Sequence, residues 1–104
     1  MNTLETLYYK KKFGYQGSVK EGVILFFGKN QSVKLEKEDL KVLLNTFSGK
    51  TVPIGASRTN PPIGSLGDWL MKNITKVAIA SYLAPVLITE GYAQKIDNFS
   101  IKFN

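Results

Sequence analysis

The sequence predicts a small α+β domain: a small antiparallel sheet, three helices and a C-terminal β-hairpin. Short runs rich in aromatic and β-branched residues lie before residue 36, which is typical of strands. Leucines then recur at three- and four-residue spacing, the period of one helix face. Two apolar segments close the chain on either side of a polar turn. A chain of 104 residues has room for one domain and no second core.

The strands come first. The runs 7–13 (LYYKKKF) and Gly22–Phe27 (GVILFF) predict two strands, separated by a glycine-rich loop at 14–22. A hairpin loop at 28–31 leads into a third strand at 32–35. We therefore expect about three strands in the N-terminal sheet.

One helix completes the N-terminal part, residues 1–50. Residues 38–47 put four apolar side chains on one helix face: Leu40, Leu43, Leu44 and Phe47. Ser48 and Gly49 then predict the end of this helix, because glycine accepts the left-handed conformation of a helix terminator.

A Pro-rich loop at residues 53–64 separates that part from residues 65–104. Ser65 and Asp68 have the spacing of a helix cap, in which the hydroxyl accepts from the backbone three residues on. A short helix is therefore expected to begin here.

A third helix is predicted from Thr75, whose hydroxyl can cap it, to Glu90. The break before this helix depends on Asn73, the one residue nearby that readily adopts a left-handed conformation. Without that break, residues 66–90 would form one long helix kinked at Pro85.

The chain ends in a predicted hairpin. Residues 92–96 and 99–103 flank a two-residue turn, Asp97-Asn98, which suits a type I′ geometry. This register pairs Ile96 with Phe99 on an inward face. The opposite face then carries Lys95, Ser100 and Lys102.

Composition excludes several kinds of catalysis. The chain has no Cys and no His, which excludes disulfides, thiol catalysis, Cys/His zinc sites and a Ser-His-Asp triad. No glycine-rich phosphate loop is present. Glu36, Glu38 and Asp39 crowd a helix start, where the helix dipole favours carboxylates. We expect no enzyme, no cofactor and no metal site.

The longest apolar stretch, residues 77–88, is far shorter than the ~20 residues of a membrane span. The N-terminus places its charges after its apolar residues and lacks a signal-peptide cleavage pattern. We therefore expect no membrane partner and a cytoplasmic location.

The charge balance predicts an anionic partner. Fourteen Lys and Arg against eight Asp and Glu give a net charge of +6. Thirteen of the fourteen are Lys, however, and solvated lysines also keep small domains soluble. Arg58, in a polar loop, is the one guanidinium; it can reach a minor groove or a partner's carboxylate, or else tie down its own loop.

Residues 38–103 follow the order helix, Pro-rich loop, capped helix, second helix and hairpin. The chain passes from the second helix to the hairpin through an acidic residue, a glycine and an aromatic residue, within residues 87–96 (LITEGYAQKI). This pattern resembles the winged helix-turn-helix DNA-binding domains. The resemblance implies double-stranded DNA as the partner, and homodimers are common among such domains. It also implies base contacts from Thr75, Lys76, Ile79 and Ala80, and phosphate contacts from Lys95 and Lys102.

A second basic surface is predicted at Lys10, Lys11 and Lys12, interleaved with Tyr8, Tyr9 and Phe13. Aromatic rings beside lysines suit stacking on unpaired bases and neutralisation of phosphates. The structural alternative is an edge strand whose lysines prevent aggregation.

We therefore predict a non-catalytic nucleic-acid-binding protein, with DNA as the preferred ligand. The alternative is a small protein-interaction module, an adaptor or inhibitor, that docks on an acidic protein surface through residues 7–15 and 23–27. A third hypothesis is that the protein is a subunit of a larger assembly, in which residues 53–64 become ordered only on contact with the other subunits.

Overall fold

The computed structural model describes all residues from 1 to 104. The α+β class is confirmed, with three helices and two antiparallel sheets. The elements in chain order are β1 (Asn2–Glu5), β2 (Lys12–Ser18), β3 (Gly22–Phe27), β4 (Gln31–Leu35), α1 (Lys37–Phe47), β5 (Thr51–Pro53), α2 (Leu66–Asn73), α3 (Ala80–Thr89), β6 (Ala93–Lys95) and β7 (Ser100–Phe103).

The N-terminal sheet is a four-stranded meander in the order β1-β2-β3-β4. The predicted strand at 7–13 is wrong: most of that run is the loop between β1 and β2, and the predicted loop at 14–22 is largely β2. The glycines predicted a loop, but one of them is needed where two strands of the sheet approach each other closely. A side chain on Gly17, at φ 85°, would overlap the backbone of Gly22 on the neighbouring strand.

The C-terminal sheet has the order β5-β7-β6 and includes a strand, β5, that the sequence did not predict. The hairpin is also one residue out of the predicted register, with Ala93 opposite Phe103 and Lys95 opposite Ile101. Four residues, 96–99, separate β6 from β7, and within this loop the carboxylate of Asp97 accepts from the backbone N–H of Phe99 (2.8 Å).

That one-residue shift moves side chains to different faces, since residues alternate along a strand. Lys95 shares a face with Ile101, whereas Lys102 lies on the opposite face opposite Thr51 and Gln94. The prediction that Lys95 and Lys102 form one basic face is therefore wrong. Phe99, predicted to point inward, is 58% exposed.

The helices follow the predicted order with one displaced start. α2 ends at Asn73, which confirms the predicted break, but Asn73 is the last helical residue and does not adopt the expected left-handed conformation. The Ser65 cap of α2 is present: the hydroxyl accepts from the backbone N–H of Asp68 (3.1 Å). α3 begins at Ala80 rather than at Thr75. The Thr75 hydroxyl accepts instead from the backbone N–H of Val77 (3.1 Å), within the loop at 74–79.

The two sheets share α3, whose buried residues belong to one continuous core with those of both sheets. Tyr82 of α3 stacks on Phe27 of β3 (ring centroids 4.4 Å apart) and meets the edge of Phe13 of β2 (5.3 Å). This packing fixes the N-terminal meander against the C-terminal part. None of the three helices is both long enough and apolar enough to cross a membrane.

Candidate nucleic-acid interface

The residues expected to face bases do not form one surface. Ile79 and Ala80 are 1% and 2% exposed, so neither can touch a base, which corrects the prediction for both. Thr75 is half-buried and Lys76 is exposed, and both lie in the loop before α3 rather than on a helix. Only Lys76 keeps a free charge toward solvent.

The helix that the resemblance assigns to the major groove is mostly buried. α3 carries no charged side chain, and six of its ten residues are buried. A helix that is apolar on all sides packs in an interior, because no face of it gains from contact with water. The side of α3 that carries Tyr82 packs against Phe13 and Phe27 of the N-terminal meander.

A cleft of about 810 Å³ instead brings together predicted residues from three separate segments. We call it the basic cleft. It is lined by Lys11 from the β1–β2 loop, Arg58 from the Pro-rich loop and Lys76 from the α2–α3 loop. Tyr9 and Tyr82 contribute aromatic rings to the same walls.

The cations of the basic cleft have no anionic partners within the protein. The two ion pairs of the chain lie elsewhere, between Lys34 and Glu36 (3.7 Å) and between Lys72 and Asp68 (3.0 Å). No acidic residue lines the basic cleft. Three positive charges around one concavity reinforce each other and raise the local concentration of anions.

The remaining predicted cations are spread over other parts of the surface. Lys10 forms the positive-φ corner (56°) of the β1–β2 loop, and Lys12 begins β2 opposite Glu5. Neither lines the basic cleft, and neither do Lys95 and Lys102. The structure thus brings together three of the eight predicted residues.

The loop that carries Arg58 is shaped by its neighbours rather than by the guanidinium. The hydroxyl of Ser57 accepts from the backbone N–H groups of Thr59 (3.3 Å) and Asn60 (3.0 Å). At the base of the loop, the backbone N–H of Gly67 donates to the carbonyl of Ile54 (2.8 Å). Arg58 is exposed and forms no ion pair, so its charge is free for a ligand.

A second, more apolar cleft of about 580 Å³ adjoins the first, and we call it the aromatic cleft. Leu7, Tyr8 and Phe99 line it, and Tyr9 lines both clefts. Sequence reasoning missed Phe99 as a surface residue, because the assumed two-residue turn directed its ring inward. The Asp97 side chain is a common turn-former that suits both loop lengths, so it did not distinguish between them.

A hydrogen-bonded clamp holds the N-terminal meander against α3. The backbone N–H of Val19 donates to the carboxylate of Glu90 (2.8 Å). Burial and the neighbouring carboxylate of Glu90 raise the pKa of Tyr15. The clamp fixes the sheet whose β1–β2 loop supplies Tyr9 and Lys11 to the clefts.

No protein-family model, no curated protein and no solved structure matches this chain. The chemistry of the two clefts is therefore the basis for assigning a function.

Proposed function

We propose that this protein binds nucleic acid without catalysing a reaction on it, and that the basic cleft is the contact surface. The observation that carries the proposal is the convergence of Lys11, Arg58 and Lys76, from three loops, on one cleft without an acidic lining residue. We expect this binding to take place in the cytoplasm, the location that the sequence predicts.

The chemistry of the cleft suits a phosphate backbone. Arg58 offers a planar fork that matches two phosphate oxygens, and Lys11 and Lys76 add point charges. Each phosphate neutralised releases condensed counterions, which is the main source of sequence-independent affinity. Contacts between these cations and phosphates carry no sequence information, so we expect weak sequence preference.

The proposal keeps the resemblance to winged-helix domains only for the order of the elements from α1 to β7. The ligand contact is assigned to the basic cleft rather than to α3, because α3 is uncharged and mostly buried. DNA and RNA backbones both fit this chemistry.

The alternative, a protein-interaction module, has less support. Part of its expected contact surface, residues 7–15 and 23–27, belongs to the core: Phe13, Tyr15 and Leu25 are at most 4% exposed. Of those runs only residues 8–12 are exposed, and two of the three cations of the basic cleft, Arg58 and Lys76, lie outside them, so the charged surface is not the one that this alternative requires.

The test is a salt titration of oligonucleotide binding by fluorescence anisotropy, from about 50 to 200 mM salt. We compare the wild type with the triple variant Lys11→Gln, Arg58→Gln, Lys76→Gln. Loss of three phosphate contacts should reduce the slope of log Kobs against log salt by roughly 2 to 3 units.

The matched control removes the same charge elsewhere, with Lys20→Gln, Lys41→Gln and Lys50→Gln, all exposed and outside both clefts. This control should keep most of the wild-type slope. Equal losses in the two triple variants would refute the cleft as the contact surface, and absence of binding to any single strand or duplex at low salt would refute the function.

A further inference from the structure

The geometry points to a single-stranded nucleic acid as the ligand, with a base stacked on Tyr9 where the basic cleft meets the aromatic cleft. This inference rests on the proposed function and narrows its ligand class. A duplex becomes the competing outcome of the test.

The first observation is a cluster of aromatic rings exposed to solvent. Tyr9 is 83% exposed, Tyr8 52% and Phe99 58%. The ring of Tyr8 lies 4.8 Å, centroid to centroid, from both Tyr9 and Phe99. Three large rings that are left in water contribute little to the core, and they present π faces on which bases can stack.

The second observation is that the loop displaying Tyr9 is closed by its own hydrogen bonds. The backbone N–H of Thr6 donates to the carbonyl of Lys11 (3.0 Å), and the backbone N–H of Lys11 donates back to the Thr6 hydroxyl (3.0 Å). Thr6 itself is buried, and Lys10 turns the chain in a left-handed conformation. A preorganised platform loses less conformational entropy when a base is stacked on it.

The third observation is the arrangement of charge around that platform. Tyr9 lines both clefts, and the basic cleft beside it carries Lys11, Arg58 and Lys76. A ring flanked by unpaired cations accommodates a base and its neighbouring phosphates at the same time, the combination found in single-strand sites.

A duplex does not fit these features. Its bases are stacked on each other, so their faces are closed to Tyr9, and only sequence-specific binding to a duplex would need an element that enters a groove. The winged-helix resemblance assigns groove entry to α3, which is mostly buried and carries no charge. The cations instead lie in a concavity between loops, which an extended strand can enter.

The experiment measures the affinity of the full chain for a labelled DNA single strand of about 15 nucleotides, the same sequence as RNA, and the DNA duplex. We expect single strands to bind at least about tenfold more tightly than the duplex at equal salt. Tyr9→Ala should weaken single-strand binding roughly 5- to 150-fold, the loss of one stacked base. The DNA and RNA arms identify which strand is preferred.

Tyr9→Phe keeps the ring and should bind within about threefold of the wild type, while Val42→Ala, an exposed apolar residue on α1, tests for nonspecific effects. A duplex bound as tightly as the single strand, or Tyr9→Ala at wild-type affinity, would overturn this inference and leave the proposed function standing. Absence of binding to all three probes would overturn the proposed function itself.

Discussion

Gly67→Ala is expected to destabilise the protein, against the usual preference for alanine in helices. Gly67 is buried in the first turn of α2, where a Cβ would overlap the carbonyl oxygen of Gly55 and lie 2.9 Å from its carbonyl carbon. It would also be 3.3 Å from the carbonyl oxygen of Ile54, which accepts from the Gly67 N–H. All these contacts are with backbone, which cannot rotate away.

The competing effects differ in size. Helix propensity favours alanine by about 1 kcal/mol at most, and less near a helix terminus. Overpacking costs about 1 to 3 kcal/mol. If the Pro-rich loop moves away, the buried N–H of Gly67 loses its acceptor at a further cost of about 1 to 3 kcal/mol. The free energy of unfolding should therefore fall by about 1 to 5 kcal/mol.

The assay is urea denaturation followed by circular dichroism, where a loss of about 3 kcal/mol lowers the midpoint by roughly 1 to 3 M. Gly14→Ala is the matched control, since its new Cβ meets chiefly the flexible side chain of Met1. That control should stay within about 1 kcal/mol of the wild type. A midpoint for Gly67→Ala equal to or above that of the wild type would refute this account of the close approach between Gly55 and Gly67.

Two further predictions concern stability. Because the folded state raises the pKa of Tyr15, its contribution is complete below the ordinary value of about 10 and is lost as the pH rises through the folded pKa. Urea midpoints of the wild type should thus fall toward those of Tyr15→Phe in alkaline buffer, and parallel pH profiles would contradict this. Ser65→Ala should lower the free energy of unfolding by about 1 to 2 kcal/mol through loss of the α2 cap. Ser32→Ala, at an exposed position, should lower it by less than about 0.5 kcal/mol. Equal urea midpoints for the two variants would count against the cap.

The burial of α3 can be predicted from its sequence. Residues 77–88 form an apolar run that is too short to span a membrane. The same run, with no charge between Lys76 and Glu90, also indicates a helix covered on all sides. A helix-turn-helix in contact with DNA needs a polar face there, so this run argues against base contacts from Ala80.

The hairpin illustrates a limit of another kind. Both turn lengths suit the residues Asp97 and Asn98, and the two registers differ by one position. Packing selected the register that buries Ala93, Ile101 and Phe103 together. Phe99 was exposed as a consequence, beside Tyr8.

Local patterns were sufficient for the elements whose signals act over a few residues: β3, α1 and the Ser65 cap. These depend on side-chain period and on hydrogen bonds to near neighbours, which the sequence contains in full. The clefts depend on contacts between distant segments. Lys11, Arg58 and Lys76 come from loops far apart in the chain, and their positions follow from the packing of Tyr82 on Phe27 and of Gly55 on Gly67. No local pattern encodes such distances, because they are set by the shape of the shared core.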